Sequence, residues 1–214
     1  GETVCYCSLE MSAQQIAARY YAMAGRVPVI GLERGSFDER IWSEAQKGLA
    51  LPSLLMPDKI SGRWEDQVAF IREAVEGHGA TYIILDYLQL CSVGDESDIM
   101  KGISEITTDL RAYAANNGIV CVVLSQFNRQ TSSEFRVRPR MTGLWGGAII
   151  EQSSDVVLLL SHHAFERDGQ CSRTFIQCEK NRHGQVGDIP VYNSYRDLTQ
   201  REGLPDELGA WPEP

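Results

Sequence analysis

Three short apolar runs, Val4–Ser8, Tyr82–Leu85 and Ile119–Leu124, are separated by amphipathic stretches, and this alternation limits the fold more than any other feature. Tyr82–Leu85 is apolar at consecutive rather than alternate positions, the pattern of a strand covered on both faces. After the first run, Ser12 and Gln15 form a capping box that opens a helix through Ile16, Ala17, Tyr20 and Met23, with Gly25 as its end. A second box, Ser36 with Glu39, opens a helix carrying Ile41, Trp42 and Ala45. Residues 66–76 repeat the form, with Val68, Ile71 and Val75 facing inward. Ile99, Ile103, Ile106, Leu110 and Tyr113 recur at steps of four and three, and Asn117-Gly118 supplies a stop. Asp155–Leu160 reads as a further buried strand, and Thr174–Glu179 and Ile189–Tyr192 as strands around a His183-Gly184 turn. Strands alternating with helices imply a mostly parallel α/β sheet, which takes its ligands outside the carboxyl ends of the strands.

Composition narrows the class further. The 214 residues, 43% of them hydrophobic, suffice for a real core and exclude a disordered or collagen-like chain. The longest uninterrupted aliphatic run, Val156–Leu160, is far short of the ~20 residues needed to cross a bilayer. Cysteines stand at 5, 7, 91, 121, 171 and 178 with no C-x-x-C pair. Together with His162, His163 and His183 they match no usual zinc spacing, so a reduced, cytoplasmic chain is expected. A formal net charge of −9 argues against a protein that coats nucleic acid with its whole surface.

The strand ends carry the chemistry. The first strand finishes Ser8-Leu9-Glu10, the second Leu85-Asp86 and the third Ser125-Gln126. In a parallel sheet these ends converge on one crevice. An Asp after four apolar residues suits a Mg²⁺ and its waters near the β- and γ-phosphates of a nucleotide. A Glu on a neighbouring strand can polarise an attacking water, and a neutral Gln can detect the γ-phosphate. Taken alone, each also reads as a polar residue where a strand leaves the core, and Gln126 as a simple loop hydrogen bond.

The motifs Ser8-Leu9-Glu10-Met11-Ser12, Ile84-Leu85-Asp86-Tyr87-Leu88-Gln89-Leu90 and Leu124-Ser125-Gln126-Phe127-Asn128-Arg129 resemble successive motifs of the DnaB replicative helicases. Ala148-Ile149-Ile150-Glu151-Gln152 running into Asp155-Val156-Val157, and Lys180-Asn181-Arg182-His183-Gly184, continue the resemblance in family order. It implies a RecA-like P-loop NTPase core, with a mostly parallel sheet flanked by helices and a C-terminal β-hairpin region. It also implies ATP and Mg²⁺ as cofactors, a homo-oligomeric hexameric ring, single-stranded DNA as track, and a primase and a helicase loader as partners. By motif position Glu10 resembles the catalytic glutamate, Asp86 the Walker B aspartate that holds Mg²⁺ through water, and Gln126 the γ-phosphate and DNA-coupling residue. Lys180 and Arg182 resemble the pair that contacts nucleotide in the neighbouring subunit's site, Arg182 being the arginine finger; seen alone they are a basic turn.

Two departures qualify the resemblance. No G-x-x-x-x-G-K-[ST] occurs, so residues 1–202 look like a helicase ATPase domain whose first strand, P-loop and following helix are cut off ahead of Gly1. Such a loss should leave a gap flanked by unpaired backbone groups, beside the strand that ends at Gln126. Gly143 and Trp145 also stand where the family usually has charged residues. The stretch 129–140 holds Arg129, Arg136, Arg138 and Arg140 against one acid, Glu134, and is expected to face DNA in the ring's channel. Residues 203–214 form an acidic, proline-containing tail. A non-catalytic ring subunit or regulator, and another RecA-like ATPase of recombination or clock type, are the competing readings.

Overall fold

A computed structural model describes residues 2–35, 39, 40, 43, 53–94, 99–128, 139–165, 171–194 and 200–202. In chain order the elements are β1 (Thr3–Ser8), α1 (Ala13–Gly25), α2 (Val29–Glu33), β2 (Ser53–Leu55), α3 (Trp64–Arg72), β3 (Tyr82–Asp86), α4 (Ile99–Asn117), β4 (Val120–Val123), α5 (Gly147–Ser153), β5 (Val156–Phe165), β6 (Cys171–Asn181), β7 (Gly187–Ser194) and β8 (Gln200–Glu202). They fall into two compact units, the first made of Gly1–Ala13, Ala50–Phe127 and Leu144–Ser154, the second of the remainder.

The first unit is built on a wholly parallel sheet of order β2-β1-β3-β4. Cys5 and Cys7 alternate with Val4, Tyr6 and Ser8, and the register pairs them with Ile83 and Leu85. All four are fully buried. Against them pack Trp64, Ile71 and Ala74 from α3 and its continuation, and Ile103, Ile106 and Leu110 from α4. Each large aliphatic side chain so covered contributes about 1.5–3 kcal/mol. Leu88, in the short 3-10 turn after β3, is fully buried in the same cluster.

Helix α4 follows the four-and-three spacing, with Ile103, Ile106 and Leu110 buried, and Gly118 leaves it at φ +64°. Helix α3 starts earlier than the expected residue 66, at Trp64, and its buried face is Trp64, Gln67 and Ile71. It runs on through one π turn, Glu73–Gly77, that buries Ala74, while Val68 and Val75 are only partly covered. The extra residue of a π turn rotates the face, which a regular period cannot anticipate. Ser36, Ile41, Trp42 and Ala45 of the second expected capping-box helix, and the tail 203–214, lie outside the described residues.

Three strands expected to be buried are not wholly so, and in β3 Tyr82 is 38% exposed. In β4, Val120, Val122 and Val123 are 49%, 46% and 36% exposed. The strand ends its sheet, pairing with β3 alone among the described residues. In β5, Val157 and Leu159 are buried but Val156, Leu158 and Leu160 are each about half exposed. This strand belongs to the second unit's sheet, of order β5-β6-β7-β8, whose pairs are all antiparallel and which carries the hairpin expected around His183-Gly184. An apolar run at consecutive positions does not distinguish a buried strand from one whose second face is bare. No helix among the described residues is long and apolar enough to cross a membrane.

Candidate active site

The three polar strand ends lie side by side because the pairing of the first unit's sheet continues beyond its strands. Ser8 and Asp86 are register partners, and the Leu9 N–H donates to the Asp86 carbonyl at 2.8 Å. On the other side, the Leu124 N–H donates to Leu85 at 3.0 Å and the Leu88 N–H donates to Leu124 at 2.9 Å. Glu10 and Gln126 therefore flank Asp86 from neighbouring strands. With strands about 4.8 Å apart, the two flanking ends are about 10 Å from one another, room for a phosphate between them.

Each end has its own local brace. The Ser8 hydroxyl donates to the Met11 carbonyl at 2.7 Å and accepts the Met11 N–H at 3.1 Å, which closes the Leu9-Glu10 step into a compact turn. Glu10 itself is exposed. Asp86 is half-buried, and the Tyr6 hydroxyl donates to its Oδ2 at 2.7 Å. Tyr6 pairs with Ile84 in the register, so its ring stands one pleat behind Asp86 on the same sheet face. The Gln126 side chain is exposed while its backbone is held at both polar groups. Its N–H donates to Oε1 of Gln89 at 3.2 Å, and its carbonyl accepts the Trp145 N–H at 3.1 Å.

A half-buried carboxylate with one oxygen on a tyrosine hydroxyl is a hard oxygen donor of the kind that suits Mg²⁺ held through its water shell. The residues present thus fit the implied metal. The thiols in and beside the sheet offer nothing comparable. The neighbouring Cys5 thiol and burial push the Cys7 thiol up, and burial pushes Cys91 up to about 12 and Cys121 up to about 11.

Lys180 and Arg182 lie in the second unit, at the start of the β6–β7 turn. The Asn181 side chain shapes that turn, accepting the His183 N–H at 3.2 Å and donating to the Gln185 carbonyl at 3.2 Å. Arg182 is tied to Asp155 twice, by its backbone N–H to the Asp155 carbonyl at 2.8 Å and by Nη1 to Oδ1 at 2.7 Å. Both side chains are largely solvated, 43% and 57% exposed. Of the four arginines expected on DNA, Arg140 is described, exposed, with its carbonyl accepting the Gly143 N–H at 2.9 Å. Arg129, Arg136 and Arg138 lie outside the described residues.

Glu10, Asp86 and Gln126 stand on adjoining strand ends, as the apolar runs imply, but the same reasoning missed the groups that hold them, Tyr6 and Gln89. Gln89 stood inside a quoted motif without a role. Tyr6 carried one faint signal, a tyrosine four residues before a glutamate on a strand otherwise of small residues.

The profile of the DnaB-like helicase C terminal domain matches residues 1–199. Among curated proteins, the chain is 28% identical to the replicative DNA helicase DnaB of Geobacillus stearothermophilus over 94% of its own length and 47% of the relative's. It is 30% identical to a probable plasmid replicative DNA helicase of Chlamydia psittaci, over 87% of its length and 42% of the relative's. The chain thus spans about half the length of the curated relatives it matches. Among solved structures, one ATPase domain superposes with a TM-score of 0.80 at 21% identity, covering 95% of this chain and 75% of that one. A DnaB-like replicative helicase described with its primase interactions gives 0.74 at 22% identity, covering 93% and 51%. The likeness in shape shows that this chain shares their fold, a parallel α/β sheet flanked by helices.

Proposed function

The chain belongs to the DnaB-like helicase C-terminal domain family, and we propose that it is the greater part of an ATP-hydrolysing replicative helicase motor that moves on single-stranded DNA as a hexameric ring in the cytoplasm. The observation that carries this reading is the placement of Glu10, Asp86 and Gln126 on the adjoining ends of three parallel strands. When bound, Mg²⁺ neutralises charge on the nucleotide's phosphates. Asp86 would hold it through water, its carboxylate oriented by the Tyr6 hydroxyl. Glu10, exposed on the neighbouring end, would accept the proton of the attacking water. Gln126 would sense the γ-phosphate from a backbone fixed on both sides.

Arg182 and Lys180 would act in trans, inserted into the nucleotide site of the next subunit. The finger would cancel charge that develops on the transferred phosphoryl, an effect worth about 10³–10⁵ in rate. The phosphate-binding loop would come from polypeptide outside these 214 residues, since no G-x-x-x-x-G-K-[ST] occurs in them. The open edge of β4 is a fitting place for the strand that leads into it. Arg140, with Arg129, Arg136 and Arg138, would follow the DNA backbone. Primase would be a partner, in line with the primase interactions of the structural neighbour, and a loader would be a second.

The test uses the full-length protein that carries these residues. Glu10→Gln should retain ATP binding and lose hydrolysis by about 10²–10⁴-fold, the usual contribution of a general base. Turnover within a few-fold of the unmodified protein, or no ATP binding in either form, would sink the reading.

A further inference from the structure

Gln89 lies in the turn after β3, three residues beyond Asp86, and both ends of its amide are used. Its Nε2 donates to the Ser125 hydroxyl at 2.7 Å and to the Trp145 carbonyl at 3.3 Å. Its Oε1 accepts the Gln126 N–H at 3.2 Å. The Trp145 N–H in turn donates to the Gln126 carbonyl at 3.1 Å, which closes a ring of hydrogen bonds through Gln89, Gln126 and Trp145. The turn that carries Gln89 is itself fixed: Leu88 is fully buried, and the Cys91 N–H donates back to the Leu88 carbonyl at 3.0 Å. One side chain therefore joins the segment after Asp86, the end of the β4 strand and the start of the 144–147 segment.

We propose that Gln89 is a positioning residue for hydrolysis, whose amide fixes the Gln126 backbone relative to Asp86 and relays displacement of Gln126 to the segment at Trp145. This rests on the reading of Gln126 as the γ-phosphate and DNA-coupling residue. The physical reason is register. Past Leu124 the parallel ladder has ended, and the Ser125 side chain and the Gln126 N–H no longer have a partner strand on β3. The Gln126 carbonyl is held by the Trp145 N–H beside the Phe127–Leu144 bridge. Without the Gln89 amide, the Gln126 N–H and Ser125 hydroxyl exchange with water, and the exposed Gln126 side chain samples more positions. A displacement of about 1 Å at a catalytic group can cost up to 10²-fold in rate without touching ground-state binding. Gln89→Glu separates the two ends of the amide. It keeps the acceptor for Gln126, and the Ser125 hydroxyl can rotate to donate to it. It loses the donation to Trp145 and sets a carboxylate oxygen against that carbonyl.

The experiment measures ATP hydrolysis by the full-length protein with and without single-stranded DNA, for Gln89→Ala, Gln89→Glu, Gln126→Ala and the double variant Gln89→Ala/Gln126→Ala. Thermal melting of each accompanies the kinetics. The expected result is a fall of roughly ten- to a hundred-fold in DNA-stimulated kcat for Gln89→Ala, with KM for ATP changed less than about threefold. Gln89→Glu, which keeps the acceptor for the Gln126 N–H but not the arm to Trp145, should recover part of that kcat. Gln89→Ala should add little in the Gln126→Ala background, because two residues acting through one step are not additive. If Gln126→Ala abolishes stimulation while Gln89→Ala does not, the proposal fails and the reading of Gln126 stands. If Gln126→Ala leaves stimulation intact, that reading fails and the proposal with it. Losses of kcat and KM that track a fall in melting temperature and add to Gln126→Ala mark Gln89 as merely structural and overturn the proposal. Should Gln89→Ala not fold, a folded Gln89→Glu that loses as much kcat as Gln126→Ala overturns it too.

Discussion

At the scale of single residues, the site is set by hydrogen bonds to side chains that have no chemistry of their own. The Tyr6 hydroxyl on Asp86 is one. A hydrogen bond to a charged group is worth about 1.5–3 kcal/mol, and removing it leaves the carboxylate oriented by solvent alone. Tyr6→Phe in the full-length protein is expected to raise the Mg²⁺ concentration for half-maximal ATP hydrolysis several-fold while the ring's assembly is unchanged. An unaltered Mg²⁺ titration would remove Tyr6 from the site. Gly146 is a second case. It caps α5 at φ +85°, and a Cβ there would stand 3.2 Å from Cγ2 of Ile103 in the packed core. Strained left-handed backbone and crowding act together, so Gly146→Ala should destabilise by about 1–3 kcal/mol, read as a lower midpoint in denaturant. Gly79→Ala, also at positive φ but with nothing within 4 Å, should cost less and serves as the control. Glu10, Asp86 and Gln126 were legible in the sequence because each stops an apolar run. Tyr6 and Gln89 were not, because a hydrogen bond across strands depends on a register that one strand's pattern does not contain.

At the scale of elements, α1, α3, α4 and the central strands were legible, whereas the short helices α2 and α5 and the exposure of the edge strands were not. Periodicity located α4, since burial on a fixed face leaves a trace at every turn, whereas β3 was located by its unbroken apolar run. Whether a strand is central or terminal depends on which neighbour pairs with it, and β4 and β5 are both apolar and both half bare. For β4 this sets a direct comparison. Val122 is 46% exposed, so Val122→Lys in the 214-residue chain should change stability by no more than about 0.5 kcal/mol, as for an ordinary surface position. If the longer protein lays a further strand and helix against β4, the same substitution there buries a charge and should cost several kcal/mol. Equal effects in the two settings would mean that nothing covers this edge. The opposite, buried face of the sheet gives a pH dependence. The Cys7, Cys91 and Cys121 thiols are held above their ordinary range, Cys7 by the Cys5 thiol and burial, the others by burial. The unfolded chain therefore loses these protons first as pH rises. The stability is fully present below the unfolded thiol value and is lost as pH climbs through about 11–12. Denaturation midpoints should fall above about pH 9, and less steeply in Cys91→Ser/Cys121→Ser.

At the scale of the whole molecule, the −9 is an average and does not oppose the DNA track proposed above, since a few arginines repeated around a ring would supply a local basic surface. If Arg182 is the finger of a ring, as proposed, it has to leave the partner it holds inside its own subunit. The Arg182–Asp155 pair is largely solvated, so its side-chain bond is worth only about 0.2–1 kcal/mol. The guanidinium can leave at small cost, whereas the backbone bond to the Asp155 carbonyl keeps its anchor in place. That is the behaviour wanted of a group that rests in one subunit and reaches into the next. Two inactive proteins test it. Glu10→Gln lacks the base of its own site but keeps Arg182, and Arg182→Ala keeps the base but lacks the finger. Mixed before ring assembly, an Arg182→Ala site beside a Glu10→Gln neighbour has every group it needs. Random equal mixing in a closed ring should then restore about a quarter of the unmodified ATPase activity. A finger that served its own site would give no recovery at any ratio, and so would a ring that never exchanges catalytic groups between subunits.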